Sequence, residues 1–251
     1  MNPKVSILIL TYNRVALSSQ FIPALVANIG NIDAEVLIWD NGSSDGSYDW
    51  VYQYGQAHPL VSEVVGSETN IGMEAINRLA ERSTGEYIIK VDDDIEVPIS
   101  FAERLVSAYE RVAEDKLMLM SWDMPWPRGP KSGGSTFATR SGKNMYKGTR
   151  GKSVNINPLE SVLITYYPKQ WLINGVCRLS PRKKFLEMGG HPEGIIYGVD
   201  YQVSKRAERL GWWGGYFTSP DLIIHHGLHD TAEYRAMKNA ELNRVGSPLH
   251  V

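Results

Sequence analysis

The stretch Tyr87-Ile88-Ile89-Lys90-Val91-Asp92-Asp93-Asp94-Ile95 joins an apolar run to three consecutive carboxylates, with Glu96 and Pro98 just beyond. A run rich in Ile and Val reads as a buried strand, so the acid is delivered at its C-terminal end. Adjacent carboxylates disfavour one another's ionised form unless a cation relieves the repulsion. Hard divalent metals such as Mg²⁺ or Mn²⁺ take oxygen ligands, and alternate residues at a strand end, Asp92 and Asp94, can share one ion. The competing reading is a solvated acidic turn ahead of a helix that begins at Pro98.

The elements before this stretch bear on the choice. Val5 to Leu10 is an almost unbroken Val/Ile/Leu run, suited to a central parallel strand covered on both faces. It ends in the polar Thr11-Tyr12-Asn13-Arg14, and a helical pattern follows from Val15 to about Asn28. Ala34 to Trp39 is a second buried strand, ending in Asp40-Asn41-Gly42-Ser43-Ser44-Asp45-Gly46-Ser47. That segment combines turn formers with N-cap residues for the next helix. Leu60 to Val65 is a weaker strand, and Asn70-Ile71-Gly72 opens a helix with Met73, Ile76 and Leu79 at helical spacing. Strands alternating with helices through short connections predict a right-handed, parallel βαβ sheet. Ligands of such sheets bind outside the carboxyl ends of the strands, where three of these polar clusters fall.

Composition sets the outer limits. The chain has 251 residues, 43% hydrophobic and 22% charged, with a net charge of −2. These values suit an ordinary globular α/β protein without global attraction to nucleic acid or anionic membranes. A single cysteine, Cys177, excludes an internal disulfide framework and a cysteine-built zinc site. No run of about 18 apolar residues suggests a transmembrane segment. The opening residues lack signal-peptide architecture, so the expected setting is cytoplasmic.

Several motifs now recur together. Pro3-Lys4-Val5-Ser6-Ile7-Leu8-Ile9-Leu10-Thr11-Tyr12-Asn13-Arg14 resembles the opening strand of family 2 GT-A glycosyltransferases. The resemblance continues through Glu35 to Ser47, Asn70-Ile71-Gly72 and Asn77, and ends in Gly85 to Asp94, where the family carries its D-x-D motif. It implies a GT-A fold: a Rossmann-like, mixed but mainly parallel sheet flanked by helices in a single domain over residues 1–251. Residues 1–98 would bind the nucleotide-sugar, 99–229 would hold the acceptor and the catalytic group, and 230–251 would form a C-terminal helix or tail. By the same resemblance Thr11, Tyr12, Asn13 and Arg14, with Asp40, Asn41, Asn70, Gly72 and Asn77, surround the donor nucleotide. Asp40 would accept a hydrogen bond from the base imino N–H, as suits a uracil or thymine reader. Asp92 would face the ribose, Asp94 would hold the metal bridging the donor phosphates, and Asp93 would assist either. G-x-G-x-x-G and P-loop signatures are absent, so the phosphates need the cation instead.

Beyond Pro98 a helix carries Phe101, Leu105, Val106 and Tyr109, and Leu117 to Trp122 reads as a strand. From Met124 to Leu159 the periodicity dissolves into a stretch with seven basic residues and no Asp or Glu. It reads as a flexible basic loop that is a lid over the donor pyrophosphate, a surface for an anionic acceptor or a solvated surface, with Trp122 and Trp126 at its start. Gln170 to Leu179 suits a strand, and Ser180-Pro181-Arg182 a helix start, with Ser180 as cap and Pro181 at the first position. Phe185 to Gly194 resembles the family segment ahead of its catalytic acid, and Tyr197-Gly198-Val199-Asp200-Tyr201 the acid itself. Val199 stands where the family has Glu. Asp200 is then the general base, its alternative role being a helix cap. Trp212 to Phe217 and Leu222 to Ile224 read as short strands, the second leading into His225-His226-Gly227-Leu228-His229. The family often places a metal-ligating histidine here, which gives His225, with His226 as the alternative because neighbours on a strand face opposite ways.

The function expected from these residues is metal-dependent, inverting transfer of a sugar from a nucleotide-diphospho-sugar, most simply a UDP-sugar, to an acceptor hydroxyl. Alternatives are a nucleotide-sugar-binding protein without transferase activity and a sugar nucleotidyltransferase. The expected cofactor is Mn²⁺ or Mg²⁺. The acceptor (glycan, glycolipid, protein or nucleic acid) and the oligomeric state are open.

Overall fold

The computed structural model describes residues 4–112, 114–122, 150–166, 173, 175–193, 199–221 and 223–226, with isolated positions 236 and 240. In chain order the elements are β1 (Val5–Thr11), α1 (Val15–Ala27), β2 (Ala34–Asp40), α2 (Ser47–Ala57), β3 (Val61–Gly66) and α3 (Glu74–Arg82). Then come β4 (Tyr87–Asp92), β5 (Ile95–Glu96), α4 (Phe101–Val112), β6 (Leu117–Trp122), β7 (Arg150–Asn157) and β8 (Glu160–Tyr166). The last are β9 (Cys177–Pro181), α5 (Arg182–Glu187), α6 (Val199–Arg209), β10 (Trp213–Thr218) and β11 (Ile224–His225).

Among the described residues, nine strands form one sheet in the order β3-β2-β1-β4-β9-β6-β10-β8-β7, and β5 pairs with β11 in a second. β1 runs parallel to β2 and β4, and β2 parallel to β3. β9 lies antiparallel between β4 and β6, β10 is parallel to β6, and β7 and β8 are antiparallel neighbours beyond it. Strand order reverses between β1 and β4, so their carboxyl ends flank the crevice where such sheets bind ligands.

The apolar runs of β1, β2 and β4 are continuous because both of their faces are covered. Ile7 and Ile9, Val36 and Ile38, and Ile89 and Val91 face α1 and α4, which contribute Ile22, Leu25, Phe101 and Leu105. Leu8, Leu37, Trp39 and Ile88 face α3, α5 and α6, which contribute Ile76, Leu79, Phe185, Val203 and Ala207. Side chains alternate along a strand, so Lys90 and Asp92 continue the row of Ile88 on this second face.

Several expectations need correction. The basic loop expected over 124–159 ends in a strand, β7, and β8 follows at once; β7 carries alternating Val154 and Ile156 between polar residues. Residues 123–149, including Trp126, lie outside the described residues, as does the tail but for positions 236 and 240. Ser180 and Pro181 belong to β9 rather than to a helix cap and first turn, and α5 begins at Arg182 without a side-chain cap. Tyr87 and Ile88 pair with Pro181 and Ser180, so a partner strand extended by two residues overrides the local Ser-Pro signal. α4 starts at Phe101 rather than Pro98, and α3 at Glu74 rather than at Asn70.

Phe101 is fully buried between α4 and the sheet. Phe101→Ala is expected to destabilise the protein by about 3–5 kcal/mol, read as a lowered midpoint in urea unfolding.

Candidate active site

Asp92 ends β4, and Asp93 and Asp94 form the turn into β5. β11 returns antiparallel to β5, opposing His225 to Ile95, and the His226 N–H donates to the Asp94 carbonyl at 2.8 Å. This pairing carries His225 Nε2 to 3.2 Å from Asp94 Oδ1 and 3.7 Å from Asp92 Oδ2. One ligand atom from each of Asp92, Asp94 and His225 lies within 4.8 Å of the others. Burial alone would lower the His225 pKa, but the Asp94 hydrogen bond and the two carboxylate charges outweigh it and raise it. Two carboxylates and an imidazole form a donor set suited to Mn²⁺. His226 faces the other way: its ring stacks on Phe21 at 4.6 Å and its Nε2 lies 2.8 Å from Glu96 Oε1. The structure therefore brings His225, and not His226, to the carboxylates.

The other acidic side chain is enclosed. Asp93 is 2% exposed, accepts from Ser18 Oγ at 2.8 Å and pairs with Arg14 Nη1 at 3.1 Å. The same nitrogen reaches Asp94 Oδ2 at 2.8 Å. Desolvation raises the Asp93 pKa, opposed by the Arg14 charge and by hydroxyl donors. Thr11 is buried too, its hydroxyl 2.8 Å from that of Ser18. Thr11 and Arg14 thus serve the acidic turn, while Tyr12 is half-buried at the bend between β1 and α1.

Next to it stands the loop after β2. Asp40 is 1% exposed; its Oδ1 accepts the Gly42 and Ser43 N–H groups at 3.1 and 2.9 Å, while Oδ2 is buried with no hydrogen-bond partner among the described residues. Gly42 has φ +80° and no room for a Cβ against the Thr69 backbone. Asn13, itself at φ 49°, joins this loop by accepting the Ser44 N–H at 2.8 Å and donating its own N–H to Ser43 Oγ. Asn41 ties the loop to Asn70, Ile71 and Gly72 through three hydrogen bonds of 2.8 to 3.2 Å. Asn70 also accepts the Gly72 N–H at 2.8 Å. Asn41, Asn70 and Gly72 therefore build a wall of the loop, held together by the Asn41 amide and Asn70 Oδ1.

Asp200 lies in the first turn of α6. Its Oδ2 accepts the Gly175 N–H at 2.9 Å and its Oδ1 pairs with Arg178 Nη1 at 3.1 Å. Arg178, on β9, sits opposite Lys90 on β4, and Lys90 Nζ is paired with Asp92 Oδ1. Val199, in the place of the family's Glu, packs in the core. Asn77 engages His191 rather than the loops at the strand ends: its amide bonds both the N–H and the carbonyl of that residue. Lys90, Arg178 and His191 were not foreseen from the sequence. For Lys90 and Arg178 the signal was present as charges inside apolar strand runs, which are buried only with a partner.

Residues 6–119 match the family model for glycosyl transferase family 2. No curated protein sequence matches the chain. Among solved structures, it is similar to a mannosyltransferase from Pyrobaculum calidifontis in complex with GDP-Man and Mn²⁺, with TM-score 0.63 and 16% identity over 98% of this chain and 63% of that one. It is also similar to GalNAc-T7 with UDP, GalNAc and Mn²⁺, with TM-score 0.59 and 16% identity over 89% of this chain and 44% of that one. A third is S. aureus TarS in complex with UDP, with TM-score 0.58 and 16% identity over 86% of this chain and 60% of that one. The chain thus spans less than two thirds of each of these proteins. The likeness to these structures shows a GT-A fold, a mixed and mainly parallel sheet flanked by helices, and the part of the chain that matches the family model, residues 6–119, holds β1 to β4 and the acidic turn.

Proposed function

We propose that this chain is a metal-dependent, inverting hexosyltransferase that moves a sugar from a UDP-sugar to an acceptor hydroxyl. The observation that carries the reading is the convergence of Asp92, Asp94 and His225 at the crevice between β1 and β4. In this reading Asp94 and His225, with Asp92, hold Mn²⁺, which when bound neutralises the departing diphosphate. Asp40 supports a nucleotide role independently. Its unpartnered buried Oδ2 is a fixed acceptor for the base imino N–H, and such a group is unfavourable to leave unmet. Loops held by Asn13, Asn41 and Asn70 keep that acceptor in place. Asp92 stands at the ribose side.

Asp200 takes the proton of the acceptor hydroxyl as that oxygen bonds to the anomeric carbon. The bond from that carbon to the diphosphate oxygen breaks on the opposite face, so configuration inverts and no covalent enzyme intermediate forms. Asp200 is partly open to solvent, and each carboxylate oxygen keeps a lone pair beyond its present hydrogen bond. No helix among the described residues is long and apolar enough to cross a membrane.

The direct test is UDP release from a panel of UDP-sugars with Mn²⁺, with GDP-mannose as comparison donor. UDP release that EDTA abolishes is expected; no release from any donor would leave a binding protein. Asp200→Asn is expected to lower release about 10²–10⁴-fold with UDP binding retained. An Asp200→Asn protein of wild-type rate removes the base assignment. For the metal, calorimetric titration with Mn²⁺ is expected to show binding weakened at least about tenfold in Asp94→Asn and His225→Ala. His226→Ala should bind Mn²⁺ more tightly than His225→Ala, and the reverse order would reassign the histidine ligand.

A further inference from the structure

Charged side chains are almost never fully buried without partners, yet Arg178 is 2% exposed in the middle of β9. Its Nη1 donates to Asp200 Oδ1 at 3.1 Å and to the Ile173 carbonyl at 3.3 Å, and its Nη2 meets His191 Nε2 at 3.2 Å. A guanidinium can only donate, so His191 accepts through Nε2 and carries its proton on Nδ1. Burial and the Arg178 charge push the His191 pKa well below its ordinary value, which keeps the ring a neutral acceptor.

The histidine is itself held from another element. Its N–H donates to Asn77 Oδ1 at 2.7 Å and its carbonyl accepts from Asn77 Nδ2 at 2.9 Å, both from α3. The approach is close enough to require glycine at position 190, where φ is +60° and a Cβ would stand 2.2 Å from Asn77 Oδ1. Beside the Arg178–Asp200 pair, a Cβ at Gly175 would fall 2.3 Å from Asp200 Oδ1, so the main chain presses against the carboxylate. Asn77, His191, Arg178 and Asp200 thus form one chain of contacts from α3 to α6.

We propose that Arg178 is a positioning residue: together with the Gly175 N–H it fixes the Asp200 carboxylate in the orientation that receives the acceptor proton. The inference rests on Asp200 being the base. The cation grips one oxygen and the main-chain N–H the other, which removes rotation about the last side-chain bond. A displacement of about 1 Å at a catalytic group can slow chemistry about a hundredfold without touching ground-state binding. The loss should therefore appear in kcat and not in the KM of the donor.

The test uses the full chain with Mn²⁺ and the UDP-sugar of highest rate, reading UDP release into water so that no acceptor is needed. Arg178→Met is expected to lower kcat about a hundredfold and Arg178→Lys roughly tenfold, each with donor KM unchanged. Arg178→Met combined with Asp200→Asn should be no slower than Asp200→Asn alone, because the two act as a unit. Hydrogen exchange at the Gly175 amide should quicken in both Arg178 variants. Wild-type kcat in Arg178→Lys and Arg178→Met, or losses that multiply in the double variant, overturns the proposal. If Arg178→Met fails to fold, Arg178→Lys decides alone. Unchanged protection of the Gly175 amide overturns it even where no UDP-sugar turns over. A fully active Asp200→Asn protein instead defeats the base assignment, and the two failures are thereby told apart.

Discussion

Three carboxylates on consecutive residues repel one another, and here two of them are almost wholly enclosed by protein. Withdrawing such charges from water is unfavourable unless each meets a cation or several donors. Arg14 answers Asp93 and Asp94 through one nitrogen, Lys90 answers Asp92, and Ser18 donates to Asp93. His225 approaches from the opposite strand. Each of these residues sits where it does because the acidic turn needs it, and the elements that carry them are α1, β4 and β11. A divalent ion at this turn would join an arrangement already balanced by side chains, and Lys90 and the ion would then compete for Asp92.

That balance extends across the second face of the sheet. Lys90 and Arg178 are cross-strand neighbours, one paired with Asp92 at the end of β4 and the other with Asp200 on α6. Two like charges side by side on adjacent strands are unfavourable by themselves. Their anionic partners on either side offset this, so the two halves of the site share a single electrostatic row.

The first half of the fold was legible because its signals are local. Buried parallel strands read as unbroken Val and Ile runs, and the polar clusters at their ends mark the crevice whatever the rest of the chain does. The acidic turn and Asp40 stood out for the same reason, as charges placed at the end of an apolar strand, whereas Asp200 was found only through the resemblance of residues 197–201 to a family motif. Arg178 and His191 did not, because their meaning depends on partners far away in sequence. Asn77 was readable as part of a motif but not as a clamp on His191, a contact across 114 residues. Local preference misled at Ser180 and Pro181, where pairing with β4 outweighed the helix-start chemistry. β7 escaped notice because it is polar over its first four residues and carries only two alternating apolar side chains, Val154 and Ile156, at its end.

The two-residue pairing of β5 with β11 closes a loop of about 130 residues, a separation whose entropy has to be met before the contact can form. The match to the family model ends at residue 119, yet the imidazole beside Asp94 comes from residue 225. The loops after β1 and β2 and the Asn70–Gly72 turn all lie within the first half of the chain. The corner of Asp92, Asp94 and His225 is complete only when β11 has docked, so it registers whether the chain from residue 92 to residue 225 has reached its native topology.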